Sequence, residues 1–429
     1  MLTLDHPEIV AEIGAFPVGL IPIRPDDKLS LAFKASKEAL LAIQLNGGFS
    51  VYVVPFQAED GKAISIITAI FDDPDQPLII RTPLFGDEQP SVETVGMLMA
   101  PELDIYFFDN LGREWMSYRC ALDDPGSHLK TGSSILLVPF SPSSSTWILK
   151  YLGEWFGLRT ADDDERAIKV SLREELSPSD LAILDVRDGV NEYLGSDGYA
   201  ISMLTRDARR PGYYQERDIV AGLKRFLQPD QIILNPFKRG TDKEFVDILA
   251  GTGQAVMLIQ AKDSPNTAES LGRTFERKQS TSEAQLKDAL KQVKGALRYA
   301  GDSDPIALTT KQGDIDLYLA GRKFLNVAVI KEIFPAQAPT IMAAMRASAA
   351  QDQMLIVLDY PGFCAFVSHF PEEGRFVAEL EDYATALRAA EEWITPHSFL
   401  IGRFLDERTA GLGETADPDT TEIARDRSS

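Results

Sequence analysis

Two apolar runs, each interrupted by polar residues, constrain this chain more than any other feature. Glu244-Phe245-Val246-Asp247-Ile248-Leu249-Ala250 is followed, across Gly251-Thr252-Gly253, by Val256-Met257-Leu258-Ile259-Gln260-Ala261-Lys262-Asp263. Runs this short and apolar, bounded by glycine, read as two strands of a tight hairpin. Side chains alternate across a strand, so Gln260 and Lys262 share one face while Ile259 and Ala261 share the other. The hairpin brings Asp247 alongside the first pair. A carboxylate, a neutral oxygen donor and an ammonium on one sheet edge suit a divalent cation and a phosphodiester. The cation takes oxygen ligands and keeps several waters, and the lysine stabilises developing oxyanion charge. Asp242 and Glu244 replace Asp247 if the register differs. By the alternation rule Glu244 and Asp247 face opposite ways, so only one of the two belongs to the site.

The flanking segments have a legible order. Ile219, Val220, Leu223, Phe226 and Leu227 recur at helical spacing, and Pro229 stands where such a helix should stop. Glu216 falls in the first turn, with Asp218 on the same helix. Ile232 to Phe237 reads as a first strand, and Lys238-Arg239-Gly240-Thr241-Asp242-Lys243 turns the chain into the Asp247 strand. A polar loop follows Lys262 to about residue 280. Leu286, Leu290, Val293 and Leu297 then predict a helix from Ser282 to Tyr299, with the Ser282 hydroxyl capping it. Pro305 to Thr309 reads as a fourth strand.

This arrangement resembles the PD-(D/E)xK nuclease superfamily, and most closely its Mrr-like branch, in which Gln-x-Lys commonly stands for Glu-x-Lys. Leu258-Ile259-Gln260-Ala261-Lys262 looks like that version, and the resemblance spans about residues 205 to 310. It implies a restriction endonuclease-like αβββαβ core within an α/β (α+β overall) chain, acting as a divalent-metal-dependent deoxyribonuclease. Asp247, Gln260 and the backbone carbonyl of Ala261 would hold Mg²⁺ (or Mn²⁺). Lys262 would orient the attacking water or stabilise the oxyanion, and Glu216 would hold a metal-bound water. Gln in place of Glu removes one negative charge and weakens metal binding. The resemblance further implies a role in restriction or anti-phage defence, with a partner chain or activating ligand as one way of working. The competing expectation is a non-catalytic nucleic-acid-binding or interaction subunit that retains the fold.

Charge distribution bears on the partner. The chain carries 43 Lys and Arg against 65 Asp and Glu, a net charge of -22, yet residues 205–300 hold 17 basic and 12 acidic side chains. An acidic protein with a basic segment around its candidate site is suited to a polyanion there, since basic side chains release counterions from a phosphate backbone. Arg206, Arg209 and Arg210 precede the first helix, and Arg273, Arg277 and Lys278 follow the motif. Lys287, Lys291, Lys294 and Arg298 form one stripe on the second helix, read either as a DNA-binding surface or as a solvated helix face.

The remaining segments bound the architecture. Residues 1–150 alternate short apolar runs with Pro and Asp turns and read as a β-rich sensor, specificity or oligomerisation domain. Its strands are Gly19 to Ile23, Phe49 to Phe56, Ile64 to Phe71, Leu78 to Thr82, Leu103 to Phe108 and Ser134 to Val138, with a helix from Lys37 to Leu45. Residues 151–204 connect, with a helix from Pro178 to Leu184 capped by Ser177. Asp162-Asp163-Asp164-Glu165 reads as an acidic helix start, and Ser143-Ser144-Ser145 as a linker or cap. Residues 311–409 alternate strands (Leu325 to Ile333, Met354 to Asp359) with helices (Thr340 to Ala350, Glu379 to Trp393). They either extend the nuclease sheet or form a small α/β unit. Residues 410–429 are polar and acidic, the composition of a disordered tail. Cys120 and Cys364 are expected as buried thiols, and His369 and His397 as structural residues. No P-loop glycine pattern appears. No apolar run reaches the ~18 residues a membrane helix needs, and no signal peptide is read, so the expectation is a cytoplasmic protein, as a homo-oligomer.

Overall fold

The computed structural model describes residues 1–16, 18–58, 61–71, 77–123, 137–178, 183–184, 192–196, 201–202, 210–301 and 303–414. Its fold is mixed α and β. The helices are α1 (Leu2–Asp5), α2 (Ile9–Ala15), α3 (Lys37–Asn46), α4 (Gln89–Met97), α5 (Pro142–Gly157), α6 (Ala161–Arg166) and α7 (Pro211–Leu223). They continue with α8 (Ala268–Leu271), α9 (Phe275–Ala300), α10 (Ala338–Ala349), α11 (Tyr360–His369), α12 (Glu373–Ala389) and α13 (Pro396–Glu414).

The first sheet has eight strands. They are β1 (Gly19–Ile23), β2 (Ser30–Lys34), β3 (Gly48–Ala58), β4 (Gly61–Ile70), β5 (Leu78–Thr82), β6 (Glu102–Phe108), β7 (Glu114–Asp123) and β8 (Ile168–Ser177), in the order β1-β2-β6-β7-β8-β3-β4-β5. It does not end at residue 150, because β8 sits between β7 and β3. Alternation covers both faces. Phe49 and Val51 of β3 join Leu40 and Ile43 of α3 in one core, while Tyr52, Val54 and Phe56 join Ile148, Leu152 and Phe156 of α5 in another. Ser36 caps α3 by accepting the Ala39 N–H, and Gly47 ends it at φ 68°, a left-handed conformation that costs glycine least. Ser141 and Ser144 form a capping box at the start of α5. Thr160 and Asp163 do the same for α6, so the acidic run is a helix start.

Two expectations in this half need correction. Ser177 ends β8 and its hydroxyl bonds that of Ser117 at 2.6 Å, a cross-strand contact the capping reading did not include. Residues Ile183–Leu184 form a short strand, β9, paired with β10 (Ile201–Ser202). The intervening residues 179–182 lie outside the described residues, as does Ser134 of the expected 134–138 strand; Val138 makes an isolated bridge to Phe85.

The second sheet carries the candidate site. It comprises β11 (Ile232–Leu234), β13 (Ile248–Gly251), β14 (Ala255–Lys262), β17 (Lys323–Ile330) and β18 (Met354–Asp359), in the order β11-β13-β14-β17-β18. β11, β13 and β14 are antiparallel neighbours, whereas β17 and β18 run parallel to β14. Strands from beyond residue 310 therefore complete this sheet. Met257, Ile259 and Ala261 share a core with Ile219, Val220 and Leu223 of α7. Val256 and Leu258 share a different core with Ala296 and Ala300 of α9. The apolar residues of β14 thus fall alternately in two cores, as the hairpin alternation requires, and α9 contributes to both.

The expected first strand, Ile232 to Phe237, is broken. Asn235 adopts φ 49° before Pro236, so β12 (Phe237–Lys238) leaves for a separate sheet with β15 (Ile306–Thr310) and β16 (Gly313–Leu317). The expected fourth strand, Pro305 to Thr309, corresponds to β15 and pairs there rather than in the central sheet. Nor does Ser282 start a helix. α9 begins at Phe275, and Ser282 is buried inside it, its hydroxyl donating to the Glu332 carbonyl and Gln337 Oε1. α13 runs through to Glu414, so residues 410–414 are helical. Residues 415–429 are outside the described residues. Cys120 and Cys364 are free, buried thiols.

Candidate active site

Asp247 stands one residue before β13, where Ile248 pairs with Ile259. It is 7% exposed, and its Oδ2 accepts the Ala261 N–H at 2.6 Å. The carboxylate is thereby aimed at the end of β14, where Gln260 (3% exposed), Ala261 and Lys262 follow one another. Burial raises the Asp247 carboxyl above its ordinary range, against the Ala261 hydrogen bond and the Lys262 charge. Lys262 lies on the α9 side of the sheet, with Nζ 3.1 Å from Asp288 Oδ2.

Glu216 comes from α7, and one residue joins it to the motif strands. Asn235 Nδ2 donates to Glu216 Oε2 at 3.0 Å, while the Asn235 backbone N–H donates to the Asp247 carbonyl at 2.8 Å. The left-handed backbone at Asn235 makes both bonds available from one residue. Asparagine tolerates that conformation better than most side chains. Burial pushes the Glu216 carboxyl up to about 7, against the Asn235 hydrogen bond, and the Asp247 charge adds to the rise. The structure thus brings Glu216, Asp247, the Ala261 amide and Lys262 near one another, with Gln260 preceding Ala261 in β14. Asp218, on the same helix, is turned elsewhere.

Glu244 corrects the alternation argument. It does not exclude Asp247, because residues 244–247 precede β13 and the period of two does not apply to them; Glu244 makes only an isolated bridge to Phe237. Its carboxyl is also raised to about 7, by desolvation and by the charges of Asp247 and Glu216. The residue as a whole is exposed, so water screens this shift and Glu216 carries more weight. Asn235 and Asp288 were not assigned to the site from the sequence, and Glu244 was read only as a substitute for Asp247. The Asn235-Pro236 pair is a turn signal that could have broken the expected first strand, but nothing in the sequence distinguishes Asp288 within a basic helix.

Asp247, Gln260 and Ala261 carry oxygen donors at this end of β14: a carboxylate, an amide and a backbone carbonyl. This donor set suits a hard ion that keeps most of its waters. Asn235 Oδ1, beside Glu216, is buried without a hydrogen-bond partner among the described residues, leaving an acceptor for a bound water. Among the described residues no group of three or more His, Cys, Asp or Glu is arranged to hold a metal ion.

The basic residues separate into two sets. Arg273 and Lys278 line a polar cavity with Glu38, Ser264, Gln285 and Lys331, beyond the end of β14. Arg277, Lys287, Lys291, Lys294 and Arg298 are exposed on α9. Lys287 pairs with Glu283 at 2.9 Å. Arg210 stands at the start of α7 over the Tyr213 ring, whereas Arg206 and Arg209 lie outside the described residues. No helix among the described residues is long and apolar enough to cross a membrane. No protein-family model and no curated protein matches the chain.

Proposed function

We propose that the chain is a divalent-metal-dependent endonuclease that hydrolyses phosphodiester bonds in DNA. The observation that carries this reading is the junction at Asn235, which ties Glu216 to Asp247 beside Gln260 and Lys262. With β12, β15 and β16 set aside in their separate sheet, and the short α8 likewise, the order α7, β11, β13, β14, α9, β17 supports it further, since it follows the αβββαβ order the resemblance implies. Bound Mg²⁺ or Mn²⁺ supplies charge neutralisation and an acidified water in such chemistry. Asp247 and Gln260 would hold it, Lys262 would stabilise the oxyanion, and Glu216, poised near neutral pH, would accept a proton from the attacking water. A role in restriction or anti-phage defence, with DNA, a partner chain or an activating ligand, follows from the resemblance and belongs to this proposal, as do a cytoplasmic setting and a homo-oligomer.

One observation favours a second reading, a DNA-binding subunit without catalysis. Lys262 is occupied by Asp288, and Asp247 and Gln260 are deeply buried. Incubating supercoiled plasmid with wild type, Lys262→Ala and Asp247→Ala in Mg²⁺ or Mn²⁺ separates the two. Metal-dependent cutting lost in both variants supports the nuclease. Salt-sensitive binding without cutting supports the binding subunit.

A further inference from the structure

Adjacent residues at the start of α3 reach both halves of the candidate site. Lys37 forms an ion pair with Asp218, two residues beyond Glu216 on α7. Asp218 is 1% exposed and also takes Arg113 Nη1 at 2.7 Å and the Tyr360 hydroxyl at 3.3 Å. Burial alone would raise this carboxyl, but Arg113 and Lys37 outweigh it and hold Asp218 well below the usual carboxylate range. Residues two apart on a helix point in different directions, so Glu216 meets Asn235 while Asp218 meets the N-terminal domain. Glu38, the next residue of α3, pairs with Lys331 at 3.2 Å. Lys331 donates its backbone N–H to the Lys262 carbonyl at 2.8 Å and its Nζ to the Ser264 carbonyl at 3.2 Å.

Apolar contacts cross the same boundary in both directions. Leu271, in the segment after Lys262, is buried in the core of the first sheet beside α3 residues. Leu111, from the turn between β6 and β7, is buried in the core of the second sheet. Each domain therefore holds a side chain of the other. A shift of α3 against the second sheet would act on the helix bearing Glu216 and on the strand exit bearing Lys262 together.

We propose that Lys37, Glu38 and Asp218 are positioning residues through which the N-terminal domain sets the Glu216–Lys262 geometry. The site assignment in this statement rests on the nuclease reading; the mechanical coupling does not. Its test is amide hydrogen exchange on the full chain, comparing wild type, Lys37→Met with Glu38→Gln, and the conservative Lys37→Arg. Local openings report on cooperative units, so the double variant should speed exchange about tenfold in 211–223 and 255–262 and leave β3 and β4 unchanged. Lys37→Arg should behave as wild type. In parallel, Mn²⁺ affinity read from water-proton relaxation should fall about tenfold in the double variant, as expected when support around a metal ligand is lost. Unchanged exchange in 211–223 and 255–262, or an equal rise throughout the chain, overturns the coupling, whether or not the protein cuts DNA. Localised exchange without DNA cutting by the wild type upholds the coupling and removes the nuclease reading instead.

Discussion

Lys262 Nζ lies 3.1 Å from Asp288 Oδ2, so the lysine of the Gln-x-Lys motif is held by the helix that follows it. Asp288 is half exposed, and an ion pair of this kind contributes about 0–1 kcal/mol. Its replacement by asparagine should leave stability within about 1 kcal/mol and plasmid cleavage within about threefold of wild type. Lys262→Ala should lower cleavage by about 100-fold or more if the ammonium stabilises the transition state. Equal losses in the two variants would mean that Lys262 serves only to dock α9.

Glu216 makes stability depend on pH in a defined direction. Its carboxyl is raised from 4.5 to about 7, so the folded protein holds this proton at pH values where the unfolded chain has released it. The contribution is fully present below about 4.5 and is lost as pH rises through about 7. Thermal melts at pH 5 and pH 8 should show a steeper loss of stability in wild type than in Glu216→Gln. Identical slopes would place Glu216 in solvent rather than against Asp247.

Asn235 has separable backbone and side-chain roles. Asn235→Gly keeps the positive φ and removes the amide bond to Glu216, at a cost of about 1 kcal/mol. Asn235→Ala adds a left-handed backbone penalty of about 1–2 kcal/mol. Urea titration should therefore rank wild type above the glycine variant and the glycine variant above the alanine variant. A reversed order of the two substitutions would contradict the φ of 49°.

The exposed stripe on α9 predicts a salt signature. If Lys291, Lys294 and Arg298 each meet a phosphate, changing all three to alanine should reduce the slope of log K against log salt by about 2–3. Lys287, already paired with Glu283, should contribute less than any of them. Fluorescence anisotropy with a labelled duplex measures this, and an unchanged slope would assign the stripe to a solvated face.

Much of the second domain was legible locally. The helix ending before Pro229, the Asp247 hairpin and the α9 periodicity each follow from hydrophobic spacing and turn residues within a short window. Ser177 and Ser282 show where that window fails. Both satisfy a capping pattern, yet Ser177 pairs across the first sheet with Ser117, and Ser282 bonds the Glu332 carbonyl from a helix interior. Their partners are 60 and 50 residues away, so no local rule could identify them.

By itself, the sequence determined which residues share a face of β14, because alternation is a property of any strand, and it nominated Asp247, Gln260 and Lys262 together. Only the tertiary structure decided that Glu216 rather than Asp218 joins them. The two share a helix and a charge, and they differ only in what other elements bring near: Asn235 for one, Arg113 and Lys37 for the other. Only the tertiary structure, too, let Glu244 and Asp247 approach one site, since the strand whose alternation would separate them begins at Ile248. Burial and long-range charge set the protonation of these carboxyls, and both arise only when distant segments pack.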